Sequence, residues 1–184
     1  LIDLEGNPVI EADANYVVTT ERGTNLEKNG VNINTSEHVL AALVGLQIDN
    51  CIIELNASEP PIMDGSSKYF IEILETAGLI EQEAFVEEYV VKEIISYKDE
   101  KTGSEIMILP SEKYELTTMV DFGTNVLGTQ NASINEISEF KKEISNSRTF
   151  SFLHEIEMLL DHGLIKGGDL NNAIVYVDKE LSSE

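Results

Sequence analysis

Basic residues are scarce in this chain of 184 residues. Lysine and arginine together number 12, against 34 aspartates and glutamates, so the formal net charge is −22. A nucleic-acid-binding protein needs clustered lysine and arginine to neutralise phosphates, and docking on an anionic membrane surface needs polybasic segments. The composition therefore argues against both nucleic acid and an anionic bilayer as partners.

Cysteine and long apolar runs are also scarce. Cys51 is the one cysteine, so neither an internal disulfide framework nor a four-cysteine zinc finger can form. A single thiol is typical of a reducing compartment, and we expect a cytoplasmic protein. The longest apolar run, 39–46, is far shorter than the about 20 residues of a membrane-spanning helix. We therefore do not expect an integral membrane protein.

The length corresponds to one large domain or two small ones. The first residue is Leu1 rather than methionine, and the last, Glu184, closely follows a strand-like run. We therefore expect a fragment of a longer protein.

The residue pattern predicts separate helices and antiparallel strands, which together are typical of the α+β class. Thr35 and Ser36 are good N-cap residues before a helix over 37–45, and Gly78 ends a helix over 68–77. A glutamate-rich run at 81–88 predicts a linker. Further strands are predicted at 51–55, 89–96, 104–110, 113–122 and 173–177, and further helices at 137–144 and 151–161.

Glu37 and His38 begin the first predicted helix and are the sharpest chemical feature. Backbone N–H groups and the helix dipole stabilise a carboxylate at this place. A neutral imidazole beside an ionised carboxylate could supply one ligand and one base to a zinc hydrolase. The alternative is a capped helix whose first turn is merely polar.

Other polar motifs have simpler interpretations. His154 and Glu155 begin a zincin-like helix motif, but Met158 stands where the second histidine should be, and His162 lies two turns further on. Both histidines are therefore predicted to lie at the surface or at an element boundary. Glu59 and Asp64 form either a carboxylate pair or an ordinary turn.

Four stretches closely resemble one enzyme family. They are TSEHVLAALVGLQIDN at 35–50, EPPIMDGS at 59–66, SRTFSF at 147–152 and GLIKGGDLNNAIV at 163–175. Their order and spacing are those of the UDP-3-O-acyl-N-acetylglucosamine deacetylases (the LpxC family), the zinc amidases of lipid A synthesis in Gram-negative bacteria. The amino-acid sequence of these stretches most resembles the form of the enzyme that is fused to a hydroxyacyl-carrier-protein dehydratase.

The resemblance implies two similar domains, each a small sheet backed by helices, in β-α-α-β layers. Residues 1–80 would be most of domain one, 81–88 the linker and 89–184 the first part of domain two, so that both domains are incomplete here. A β-α-β insert at about 150–177 would form a hydrophobic passage for the acyl chain of the substrate.

The same resemblance implies zinc-dependent hydrolysis of the 2-acetamido group of a UDP-sugar lipid precursor, UDP-3-O-(3-hydroxyacyl)-N-acetylglucosamine, with release of acetate. Glu37 would be the general base, His38 a Zn²⁺ ligand and Thr149 a hydrogen-bond donor to the oxyanion. The acyl passage would be lined by Phe150, Phe152, Ile156, Ala173 and Val175.

Part of the family's machinery is missing from these residues. The other two zinc ligands belong to a His-Lys-x-x-Asp helix and the general-acid histidine to a Gly-His segment, and the sequence contains neither. Catalytic zinc normally has three protein ligands. We therefore expect this chain alone to bind zinc weakly and to be inactive. The alternative is a non-catalytic acidic binding module that keeps the acyl passage.

Overall fold

A computed structural model describes residues 1–20, 23–161 and 168–177, and small sheets and separate helices share these ranges. This mixture confirms the predicted α+β class. His162, the start of the 163–175 motif and the residues after 177 lie outside the described residues. None of the described helices is both long enough and apolar enough to cross a membrane.

The first sheet is an antiparallel arrangement of β1 (Val17–Thr19), β2 (Asn25–Lys28) and β3 (Val31–Ile33). Asn29 and Gly30 connect β2 to β3, and both have positive φ angles (54° and 77°). Two successive residues of positive φ are typical of the tight hairpin turns whose twist matches that of the strands. At the other end of β2, the side chain of Asn25 accepts a hydrogen bond of 3.1 Å from the N–H of Thr35, just before the next helix.

Two helices follow this sheet in the chain. Helix α1 (Glu37–Gly45) and α2 (Lys68–Ala77) have the bounds that their capping residues predict. They pack against each other and bury the apolar side chains Val39, Ala42, Leu43 and Ile71. Gly45 lies against the ring of Phe140, which a side chain at position 45 would overlap. Burial of this face fixes the direction of α1.

Two hairpins follow. β4 (Ile95–Lys98) pairs with β5 (Glu105–Ile108), and β6 (Leu116–Asp121) pairs with β7 (Thr129–Ile134). The first hairpin joins the two segments that the sequence predicts to pair, but β4 starts at 95 rather than 89 and ends at 98 rather than 96, and β5 is shorter than the predicted 104–110. β7 was not predicted. A 3₁₀ turn (Ile137–Glu139) and α3 (Phe140–Glu143) then take the place of the helix predicted at 137–144.

A β-α-β unit completes the described chain. β8 (Phe150–Phe152) lies parallel to β9 (Ile174–Tyr176), and α4 (Leu153–Asp161) follows β8 directly. The helix predicted from 151 begins two residues later because those residues belong to β8. Glu155 accepts a hydrogen bond of 3.1 Å from the Phe152 N–H and so caps the first turn of α4.

The strand predicted at 51–55 is wrong, because these residues form neither strand nor helix. Ile52 is 92% exposed and Ile53 is also exposed. A β-branched run becomes a strand only when another strand takes up its hydrogen bonds, and no described strand pairs with 51–55. Residues 79–94 likewise contain neither helix nor strand, and the role of 81–88 as a domain linker stays a prediction.

Candidate active site

An open cleft of about 970 Å³ lies between the start of α1 and the β-α-β unit. The structure brings to it every site residue that the sequence analysis singled out: Glu37, His38, Thr149, Phe150, Phe152, Ile156, Ala173 and Val175. Residues that are distant in sequence therefore share one concave surface, with polar side chains at the α1 side and apolar ones along the β-α-β unit.

Glu37 is held by the strand region in front of it. Its Oε2 accepts a hydrogen bond of 2.7 Å from the backbone N–H of Thr24. Its Oε1 lies 3.6 Å from Nε2 of His38, and the two side chains are 37% and 17% exposed, respectively. The carboxylate is thus fixed in orientation, beside an imidazole, and still reachable from the cleft.

The start of α1 differs from the predicted cap. Ser36 occupies the N-cap position, but its hydroxyl donates to the carbonyl oxygen of Thr24 (2.9 Å) rather than accepting from a helix N–H. Thr35, which also lines the cleft, has a left-handed φ of 52°. A β-branched residue in this conformation costs about 1–3 kcal/mol. The strained turn brings the start of α1 against Thr24 and so holds Glu37.

The backbone of His38 connects the two helices. Its carbonyl oxygen accepts a hydrogen bond of 3.1 Å from the hydroxyl of Ser67, the residue before α2. Ser67 is itself buried. His38 is therefore positioned by the packing of α1 on α2 and not only by its own helix.

The backbone of Thr149 forms hydrogen bonds to two other segments of the chain. Its N–H donates to the carbonyl oxygen of Gly65 (2.7 Å), and its carbonyl oxygen accepts from the N–H of Ile174 (3.0 Å). These two bonds tie the backbone of Thr149 to both neighbouring segments, at a position that lines the cleft.

The 59–66 loop supplies one cleft residue and one structural carboxylate. Glu59 lines the cleft. The Oδ1 of Asp64 instead accepts hydrogen bonds from the N–H (3.1 Å) and the hydroxyl (2.6 Å) of Ser66, which is fully buried. Of the two sequence interpretations, the structure favours the ordinary turn, because Asp64 stabilises the entry to α2.

Aromatic rings form the apolar wall of the cleft. The centroid of Phe150 lies 5.2 Å from that of Phe122, 5.6 Å from Tyr176 and 5.9 Å from Phe152, in edge-to-face contacts. Such pairs stabilise beyond their area of contact. Phe122 was missed by the sequence analysis, because it follows β6 and nothing local distinguishes it from a strand end. Its aromatic character was the only available signal.

The described residues do not complete a metal site. No group of three potential ligands among His, Cys, Asp and Glu occurs in 1–20, 23–161 and 168–177. His38, with Glu37 beside it, is one candidate ligand of the three that catalytic zinc normally has. His154 is exposed and stacks on the ring of Phe152, with centroids 5.6 Å apart, as a boundary histidine would.

Comparison with known proteins covers the whole chain. Residues 1–184 match the family model described as LpxC, UDP-3-O-acyl N-acetylglycosamine deacetylase. The chain is 48% identical over 183 residues to the bifunctional enzyme LpxC/FabZ of Bacteroides thetaiotaomicron, covering 100% of this chain and 40% of that protein. The corresponding enzyme of Porphyromonas gingivalis is 42% identical, with the same coverage.

A relative with a single activity in its name is similarly close. The UDP-3-O-acyl-N-acetylglucosamine deacetylase of Saccharophagus degradans is 43% identical over 179 residues, which are 94% of this chain and 58% of that protein. The chain thus spans less than two thirds of the length of these relatives.

Proposed function

Because this chain belongs to the LpxC family of UDP-3-O-acyl-N-acetylglucosamine deacetylases, we propose that it forms part of an enzyme acting on that UDP-sugar lipid precursor. The reaction is zinc-dependent hydrolysis of the 2-acetamido group with release of acetate, the committed step of lipid A synthesis, in the cytoplasm of Gram-negative bacteria. The observation that carries the proposal is the single cleft that joins Glu37, His38 and Thr149 to an apolar wall.

Glu37 is the general base. The Thr24 N–H occupies Oε2, so Oε1 is the oxygen that takes a proton from the attacking water as the water oxygen bonds to the amide carbon. A positioned base of this kind contributes about 10²–10⁴-fold to the rate. The carboxylate also borders His38, whose imidazole nitrogen lies on the same side of the cleft.

Thr149 stabilises the negative charge that develops on the amide oxygen. Its hydroxyl donates a hydrogen bond to that oxygen, and its backbone, bonded to Gly65 and Ile174, holds it in place beforehand. The apolar wall takes the acyl chain, because Phe150, Ile156 and Val175 offer it a surface that water does not solvate well.

Zinc, when bound, supplies a Lewis acid for the amide carbonyl and the water. The described residues do not form a complete Zn²⁺ site by themselves, because His38 is a single candidate ligand. The remaining ligands must come from outside the described ranges. We expect the 184-residue chain alone to bind Zn²⁺ weakly and to release no acetate.

The names of two relatives describe a bifunctional LpxC/FabZ enzyme. We extend this to the present protein and propose that a dehydratase domain is fused to the deacetylase in the complete polypeptide. Mass spectrometry of the native protein tests this, because a fused polypeptide should have the length of the bifunctional relatives, of which this chain covers 40%, whereas a deacetylase alone should have that of the single-activity relative, of which it covers 58%.

Acetate release by the complete polypeptide tests the function. The polypeptide that carries these residues, loaded with Zn²⁺, is incubated with UDP-3-O-(3-hydroxyacyl)-N-acetylglucosamine, and a matched sample is treated with a chelator. We expect release that the chelator abolishes. Substrate that stays intact with the zinc-loaded protein would contradict the proposal.

A non-catalytic binding module is the second candidate. It is favoured by one observation, that the described residues bring together an apolar cleft without a three-ligand metal cluster. This candidate predicts that the acylated UDP-sugar binds with the same affinity before and after chelation. An affinity that falls on chelation would count against it.

A further inference from the structure

Arg148 connects the two loops that border Thr149. Its Nε donates a hydrogen bond of 2.6 Å to the carbonyl oxygen of Asp64, and its Nη2 donates one of 3.1 Å to the carbonyl oxygen of Leu170. Asp64 belongs to the 59–66 loop before α2, and Leu170 belongs to the turn before β9. One guanidinium therefore joins the helical part of the chain to the β-α-β unit.

The same two loops touch directly at Gly65. This glycine has a φ of +83°, and a side chain on it would overlap the carbonyl oxygen of Asn172 and come within 3.0 Å of Cγ2 of Thr149. Gly65 also accepts the hydrogen bond of the Thr149 N–H. Thr149 therefore keeps its place at the cleft only while the distance between the 59–66 loop and the turn before β9 stays the same.

We propose that Arg148 is a positioning residue for Thr149: it holds the 59–66 loop and the turn before β9 at a fixed separation and thereby fixes the Thr149 hydroxyl on the cleft. The inference rests on the proposed function, because it assigns Arg148 to the oxyanion donor of that reaction. Arg148 is not among the residues that line the cleft, so it acts through Thr149 and not on the substrate.

The chemistry of the two acceptors calls for arginine. Both are backbone carbonyl oxygens, which lie on different loops and are met by different nitrogens of one planar group. Arginine presents its N–H donors in a rigid fork, whereas lysine offers one ammonium on a flexible stem. A lysine here would keep the charge and lose the fixed span between the two carbonyls.

A double-mutant cycle tests the inference in the complete, zinc-loaded polypeptide. Arg148→Lys is expected to lower kcat about 10- to 100-fold, the scale of a displacement of about 1 Å, with KM nearly unchanged. In a Thr149→Val background the same substitution should have no further effect, because the hydroxyl that Arg148 positions is gone. Lys141→Met, which removes an exposed cation paired with Glu75, is the matched control and should be silent in both backgrounds.

Other results would overturn the inference. Effects of Arg148→Lys and Thr149→Val that simply multiply would show that Arg148 acts independently of the hydroxyl. Thermal unfolding is measured on Arg148→Lys and on a second variant, Arg148→Gln, and loss of the folded state in both would assign Arg148 to the fold alone. Failure of the proposed function is distinguishable, because the unsubstituted enzyme would then release no acetate.

Discussion

The backbone N–H of Thr24 donates a hydrogen bond of 2.7 Å to Oε2 of Glu37, across the gap between the start of β2 and the start of α1. Thr24, the residue just before β2, thus sets the orientation of the carboxylate. Oε1 lies 3.6 Å from Nε2 of His38. A side chain held at one oxygen can present the other in a single direction, which is what a general base requires.

Replacing Glu37 tests its role as a base. Glu37→Gln keeps an oxygen that can accept from the Thr24 N–H, so the start of α1 should keep its conformation. The amide cannot accept the water's proton, and we expect kcat for acetate release to fall about 10²–10⁴-fold. Initial rates measured with saturating substrate check this.

The control for that variant is Glu72→Gln. Glu72 lies exposed on α2 near Lys68 and away from the residues that line the cleft. The same change of charge there should leave kcat unaltered. Near wild-type activity of Glu37→Gln would show that another group removes the proton.

Thr149→Val removes the hydroxyl and keeps the shape of the side chain. The backbone bonds to Gly65 and Ile174 do not involve the hydroxyl, so the fold should be preserved. We expect kcat to fall about 10²–10³-fold, the usual effect of one lost oxyanion donor. Thr149→Ser keeps the donor and should retain most activity. Equal activity of the Val and Ser variants would contradict the assignment.

Local signals in the sequence predict the helices of this fold well. The predicted bounds of α1 and α2 are those of the structure. Gly78 acts within one turn, because its N–H bonds to the carbonyl oxygens of Leu74 and Glu75, whereas the Ser36 hydroxyl bonds to the distant Thr24 and not to α1. The pairing of β4 with β5 was accessible because a short turn with Gly103 connects them.

Structural features that depend on residues distant in the sequence could not be predicted. The apolar run at 51–55 reads as a buried strand, yet it lacks a pairing strand among the described residues. The sequence of β7 is too polar to predict a strand, and the strand forms because β6 pairs with it. Glu37 and His38 were singled out by their place at a helix start, and the other candidate site residues were named from the family resemblance. The hydrogen bond from Arg148 to Asp64 depends on tertiary contacts that neither signal contains.

Gly65→Ala should destabilise the protein far more than Gly30→Ala. Both glycines have left-handed φ angles, 83° and 77°, but a side chain at position 30 meets nothing within 4 Å. Gly30→Ala should therefore cost only the conformational strain, about 1–2 kcal/mol. At position 65 the overlap with Asn172 adds to that strain, and we expect about 3 kcal/mol or more.

Urea unfolding of the complete polypeptide measures the difference between the two glycine variants. Gly65→Ala should also lower kcat, because its new methyl group pushes against Thr149. Equal midpoints for the two variants would mean that the 59–66 loop and the turn before β9 do not touch in solution.

Ala173→Leu tests the apolar wall as an acyl passage. Ala173 lines the cleft in the residue before β9, so a larger side chain there would shorten the space for an acyl chain. We expect kcat/KM to fall about 10-fold or more for a substrate with a long acyl chain, the scale of a few displaced methylene groups. A substrate with a short acyl chain should lose little, because the proposed reaction places its amide at Glu37 and Thr149. Ala132→Leu, on the exposed strand β7, is the control. Equal losses for both chain lengths would place the acyl chain elsewhere, since a blocked passage must discriminate by length.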